Sequence, residues 1–233
     1  PCGSGRRYKR CCLKRDLVSR LAYTERDREL AFNALTRFSQ SAEFAAHCRR
    51  ARDTFWADRP EDEDDESHVQ TFDAFVHWLM LDLPVGDGIE SITDRFLSRP
   101  GILLAAGERT WLERMRRSAM RLYEITGVQP DEGLTLRDLL TGESVDVHER
   151  LGSRQLVTWD LIGARVIEGR EGAPVIDGAP FPYPSAAREP MVRDLRRRHT
   201  RFRKHNPDDS DWRFFKGIGA VFYFWWLQYN ARQ

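Results

Sequence analysis

Leu134-Thr135-Leu136-Arg137-Asp138-Leu139-Leu140-Thr141-Gly142-Glu143-Ser144-Val145-Asp146-Val147-His148 is where the chain changes grammar. Val145 and Val147 alternate with polar neighbours, the pattern of a half-buried strand. Leu134–Leu136 is a second short β-like run, and Thr141-Gly142-Glu143 is a turn between the two. Working outward, Leu122–Val128, Gln155–Ile167 and Ala173–Ile176 read the same way. Pro130-Asp131-Glu132-Gly133 and Glu168-Gly169-Arg170-Glu171-Gly172 separate them. Five short strands predict a small SH3-like β-barrel over 122–184.

Towards the N-terminus the period becomes helical. Residues 16–121 read as an α-helical unit. Leu17, Val18 and Leu21 begin a short helix. Thr24 caps the next, with Leu30, Ala34, Leu35 and Phe38 on its apolar side. Ser41 starts another, with Phe44, Cys48, Ala51, Phe55 and Trp56 on one side; Cys48 is expected as a buried small hydrophobe. Glu61–Glu66 is an acidic run expected as a solvated loop. Helices follow over His68–Asp82, Ile92–Leu97 behind a Ser91 cap, and Glu108–Tyr123. Beyond the barrel, Pro180, Pro182 and Pro184 make an extended connector. Residues 185–233 then read as a basic helix, Ala186–His205, and an aromatic helix, Trp212–Asn230, capped by Asp211. The fold class is α+β, mainly α.

The 233 residues carry a formal net charge of +1, but charge is unevenly spread. Residues 1–57 sum to +7, residues 58–184 to −12 and residues 185–233 to +6. Basic ends around an acidic middle suggest internal docking or an anionic partner. The longest apolar run, Ile218–Leu227, is far short of a bilayer span, so no membrane partner is expected. The polar, cysteine-bearing start is unlike a secretory leader, and a reduced cytoplasm suits its thiols.

Those thiols cluster. Pro1-Cys2-Gly3-Ser4-Gly5-Arg6-Arg7-Tyr8-Lys9-Arg10-Cys11-Cys12 holds three of the four cysteines. Thiolates are soft ligands that suit Zn²⁺, and the glycines suit a tight loop around an ion. Free thiols or a strained vicinal disulfide are the competing readings. The stretch resembles the SEC-C motif, a small zinc-binding module with the pattern Cys-Pro-Cys-Gly-Ser-Gly-(basic)₂-Tyr-Lys-basic-Cys-(Cys or His). The resemblance covers 1–15 and implies Zn²⁺ on Cys2, Cys11 and Cys12. The family's first cysteine would precede Pro1, so the sequence is expected to be clipped there; otherwise water, Cys48 or a histidine is the fourth donor. Four thiolates would leave no open position, which implies a structural ion. The run Leu136–Glu143, with Val145 and Glu149-Arg150 beyond it, is similar to stretches beside SEC-C motifs in bacterial proteins, and brings no activity with it.

Enzyme motifs are missing: no phosphate-binding Gly-rich loop with Lys, no Gly-x-Ser-x-Gly elbow and no His-Glu-x-x-His. His148-Glu149 is adjacent on a strand, which points its members to opposite faces. His47, His68, His77 and His199 read as surface or boundary residues. What remains are two basic patches: Arg6, Arg7, Tyr8, Lys9 and Arg10, and Arg196, Arg197, Arg198, Arg201, Arg203 and Lys204. Cations near an aromatic suit a phosphate backbone or an acidic protein. The resemblance implies an attachment knob for a protein or ribosome partner. The expected function is a cytoplasmic zinc-binding adaptor. The alternatives are a metal-dependent hydrolase or nuclease in the acidic middle, using residues such as Asp82, Asp87 and His148, and a structural subunit that oligomerises through its aromatic helix.

Overall fold

A computed structural model describes residues 22–57, 65–86 and 88–230. The expected zinc knuckle, the helix at Leu17–Leu21, Glu61–Asp64 of the acidic run and Asp87 lie outside the described residues.

Helix α1 (Glu25–Ser39) begins at a reciprocal capping box. Thr24 Oγ accepts from the Asp27 N–H at 3.1 Å, and the Asp27 carboxylate accepts from the Thr24 N–H at 2.8 Å. This satisfies donors that a helix start would otherwise leave open. Its buried stripe is Ala31, Leu35 and Ser39, while Leu30 is 43% exposed. A short 3₁₀ turn at Ala42–Phe44 leads into α2 (Ala45–Phe55). Cys48 there is half-buried and donates to the Ser39 carbonyl at 3.5 Å.

Helix α3 (Asp65–His77) takes up Asp65 and Glu66, so the acidic run ends inside a helix rather than in a loop. It passes into a π-helical turn at Trp78–Asp82, every residue of which is buried. The Leu83 N–H reaches back five residues to the Trp78 carbonyl at 2.9 Å. Helix α4 (Ile92–Ser98) starts on the expected Ser91 cap, which pairs with Asp94. Helix α5 (Ala106–Arg117) stops six residues short of the expected Tyr123. Ser118 turns extended because Arg165 Nη1 donates to its carbonyl at 2.8 Å and its Oγ at 3.1 Å, which fixes the chain where it joins the sheet.

The strands are β1 (Met120–Gln129), β2 (Gly133–Asp138), β3 (Ser144–His148), β4 (Leu161–Glu168), β5 (Pro174–Ile176) and β6 (Phe181–Tyr183). The order is β3-β2-β1-β4-β5, with β6 also on β4, and every pairing is antiparallel. The sheet curls until β3 and β5 lie close, but no ladder joins them. The expected closed barrel is therefore a half-barrel. Gln155–Ile167 is not one strand: Gly152–Gln155 is a helical turn, α6. The proline connector supplies β6, since alternate prolines tolerate an edge position. Gly133 is required where it stands, because a Cβ would lie 2.2 Å from the Val147 carbonyl oxygen across the ladder.

Tyr123, Ile125, Leu134, Leu136, Val147, Ile162 and Ala164 fill the inside of the curl. The outer face carries Leu122, Leu161 and Ile167 into a larger core shared with the helices. The helical unit and the sheet thus share one core.

After a 3₁₀ turn, α7 (Arg188–His205) buries Met191 and Leu195 and half-buries Val192 and Phe202. The aromatic segment is two helices, not one: α8 (Asp211–Gly217) and α9 (Gly219–Asn230). Gly217 and Gly219 flank the break, and Ser210 rather than Asp211 caps α8. Gly219 also permits close packing, since a Cβ there would meet Asp82 and Trp78 at 2.9 Å. On α9, Phe222, Tyr223, Trp225 and Leu227 are buried. Tyr223 stacks on Phe55 with ring centroids 4.3 Å apart, and Tyr183 donates to the Phe222 carbonyl at 2.7 Å. Trp212 is 41% exposed and donates to the Arg117 carbonyl at 2.6 Å. Among the described residues no helix is long and apolar enough to cross a membrane.

Candidate functional site

Two places combine charge with shape. The first is a furrow between α7 and α9, a hollow of about 480 Å³. Arg193, Asp194, Arg197 and Arg198 line one wall, and Phe224, Trp225, Gln228 and Tyr229 the other. Asp194 organises this wall. It accepts from Arg198 Nε at 2.8 Å, from Arg197, and from Trp225 Nε1 at 3.2 Å. Burial raises its carboxyl pKa, but the two arginines outweigh that and hold it below the usual range. Three guanidinium groups against one carboxylate leave the furrow cationic.

Arg196, Arg197, Arg198, Arg201, Arg203 and Lys204 are all exposed on α7, as expected. Arg193, Arg197, Arg201 and Lys204 follow at helical spacing along one side, about 6 Å per step. Arg203 is turned back onto the Asp209 carbonyl, and His199 is engaged by Asp211 at 2.8 Å. Cys2, Cys11, Cys12, Arg6, Arg7, Tyr8, Lys9 and Arg10 lie outside the described residues.

The second place is a buried charge centre. Asp82 ends the π-helical turn, Arg165 sits mid-strand on β4 and Lys216 sits near the end of α8. Arg165 Nη2 donates to Asp82 Oδ2 at 2.6 Å, and Lys216 Nζ donates to Oδ1 at 2.8 Å and to the Leu81 carbonyl at 2.8 Å. All three are buried. Beside them lies a cavity of about 20 Å³, lined also by His77, Asp177, Phe181 and Tyr223. That is room for a single water. His77 bonds the Asp73 carbonyl through Nδ1 at 2.8 Å, and its Nε2 has no hydrogen-bond partner among the described residues. Asp177 is held by Arg28 at 3.0 Å and by Trp111 Nε1 at 2.9 Å.

The centre cross-links three elements. Its composition was visible as a charge inside each of three apolar runs: Asp82 after Trp78–Leu81, Arg165 among Ile162–Ile167, and Lys216 after Phe214-Phe215. Periodicity alone cannot say that such charges meet.

Burial draws the Lys216 pKa down from lysine's usual 10.5 to about 8, against the pull of Asp82 and with Arg165 adding to the fall. Below pH 8 the amine is charged whether folded or unfolded, so its burial penalty is felt in full. Between 8 and 10.5 the unfolded chain holds more protons, so stability rises with pH. Relative to Lys216→Met, the wild type is expected to gain up to about 3 kcal/mol across that window in urea melts. A difference flat with pH would refute the burial effect.

Of the residues expected in a hydrolase site, Asp82 is committed to its two cations. His148 is exposed at the end of β3. Glu149 accepts the backbone N–H groups of Leu151 and Gly152, each at 3.0 Å, and so shapes a loop. Among the described residues no three His, Cys, Asp or Glu side chains converge to hold a metal. Burial pushes the Cys48 thiol up, which makes it a poor thiolate donor.

No curated protein and no solved structure matches the chain. Residues 1–14 match the SEC-C motif. Residues 63–217, about two thirds of the chain, match DUF7986, described as a family of unknown function, and the chain belongs to that family.

Proposed function

We propose that this is a cytoplasmic zinc-binding adaptor, with an N-terminal SEC-C knuckle that captures one partner and a folded body that engages an anionic one. The observation that carries the reading is the SEC-C match over residues 1–14, with Cys2, Cys11 and Cys12 in its sequence. Three thiolates fit Zn²⁺ by donor chemistry and leave one donor of a tetrahedral set to come from elsewhere. The ion would supply structure: it would hold the loop of Arg6, Arg7, Tyr8, Lys9 and Arg10 in one shape so that its cations and ring can be presented together. The exposed arginines of α7 support an anionic partner for the body, a protein, the ribosome or RNA.

Cys11→Ser and Cys12→Ser are each expected to release zinc, measured by metal analysis of the purified chain, and to abolish partner capture. The thermal midpoint of the body should stay within about 2 °C, because the described core, which begins at Tyr23, contains neither cysteine. Full zinc retention in both variants would end the adaptor reading.

A further inference from the structure

We propose that the furrow between α7 and α9 is a binding site for single-stranded RNA. This deepens the adaptor reading by naming the body's partner, and rests on that reading for the role but not for the site. Sequence-tolerant single-strand binding needs a cationic track for the phosphates and aromatic faces for the bases. Both stand on opposite walls of one hollow. Arg193, Arg197 and Arg198 provide the track, and Arg201 and Lys204 continue it beyond the furrow. Phe224 and Tyr229 are half-buried, so each keeps part of its ring open to the hollow.

The wall is also pre-set. Asp194 holds Arg197 and Arg198 from one side and the Trp225 indole N–H from the other. It therefore joins the track to the aromatic wall, and less side-chain freedom is lost when a strand binds. Its single charge does not cancel the cations around it. A duplex would hide its base faces from Phe224 and Tyr229, which favours an unpaired strand. An acidic polypeptide would use the arginines but leave the aromatic wall without a role. Gln228 is exposed in the furrow and offers both a donor and an acceptor to a 2′-hydroxyl, the group that separates RNA from DNA.

The test uses the full chain and a fluorescein-labelled 12-nucleotide oligouridylate, read by anisotropy at several salt concentrations. Binding is expected to weaken with salt with a slope of about −0.7 per phosphate contacted. Arg193→Ser/Arg197→Ser changes two exposed residues; it should fold normally, weaken binding at least about tenfold and flatten the slope by roughly one unit or more. Tyr229→Ala should weaken binding by about fivefold to 150-fold, the worth of one stacked base, with the slope unchanged. Circular dichroism melts confirm that each variant is folded. Gln228→Ala should narrow the preference for oligouridylate over oligothymidylate.

Equal affinity for the DNA strand would overturn the RNA assignment. Polyglutamate binding as tightly as the oligonucleotide, with Tyr229→Ala silent, would overturn it in favour of an acidic protein. Loss of RNA binding in Cys11→Ser/Cys12→Ser but not in the furrow variants would place the contact on the knuckle, so the furrow inference would fail while the adaptor reading stood. A zinc-free wild type that still loses RNA binding through the furrow variants would do the reverse.

Discussion

Asp82→Asn is expected to cost about 3–5 kcal/mol of folding stability, because it leaves two buried cations facing a neutral amide. For a chain of this size that is a fall in Tm of roughly 6–20 °C. Asp82 binds Arg165 through one oxygen and Lys216 through the other. Neither cation can reach water by a change of rotamer, since their side chains are 2% and 8% exposed. The penalty belongs to the unpaired charges, not to the lost contacts. Replacing all three residues by apolar ones of similar volume should therefore recover most of the loss. A scanning calorimetry shift under about 2 °C for Asp82→Asn would mean that the centre is solvated or rearranges easily.

Phe55→Ala should be of similar size, about 3–5 kcal/mol. The ring is 1% exposed and lies parallel on Tyr223, with Phe75 and Trp78 at 5.2 and 5.4 Å. It joins α2 to α9 across the core, and the space it leaves is walled by large rings that cannot collapse into it. Phe72, a neighbour by composition but 62% exposed, is the control, and its alanine variant should change stability by less than about 1 kcal/mol. Chemical denaturation of both variants decides the matter. Equal midpoints would mean that the Phe55–Tyr223 stack does not hold the helices together.

Much of this was legible from spacing. The Thr24 and Ser91 caps sit where expected, each with an acidic residue three positions on. Val145 and Val147 marked β3 correctly. What periodicity missed was decided by tertiary partners. Helix α5 ends early because Arg165 draws Ser118 into an extended conformation, and nothing near residue 118 announces an arginine so distant in sequence. Leu30 is more apolar than its neighbour Ala31, yet it is 43% exposed while Ala31 is buried in the core. The aromatic helix breaks because Gly217 and Gly219 allow it and the Asp82–Lys216 pair occupies the corner. Of the candidate site, the arginines were legible from composition. The aromatic wall facing them was not, because Phe224 and Tyr229 lie in a segment that is apolar on nearly all sides, so that no one face stands out.

The placement of α9 has a consequence for biosynthesis. Its rings fill the space between α2, α3 and the sheet, so α2 remains without this packing partner until about 170 further residues have been made. At bacterial or eukaryotic elongation rates that is an exposure of roughly 10–35 s. During that interval Phe55, Trp78 and Asp82 stand open on a nascent chain, and occupancy by a chaperone should end when Lys216 and Tyr223 arrive.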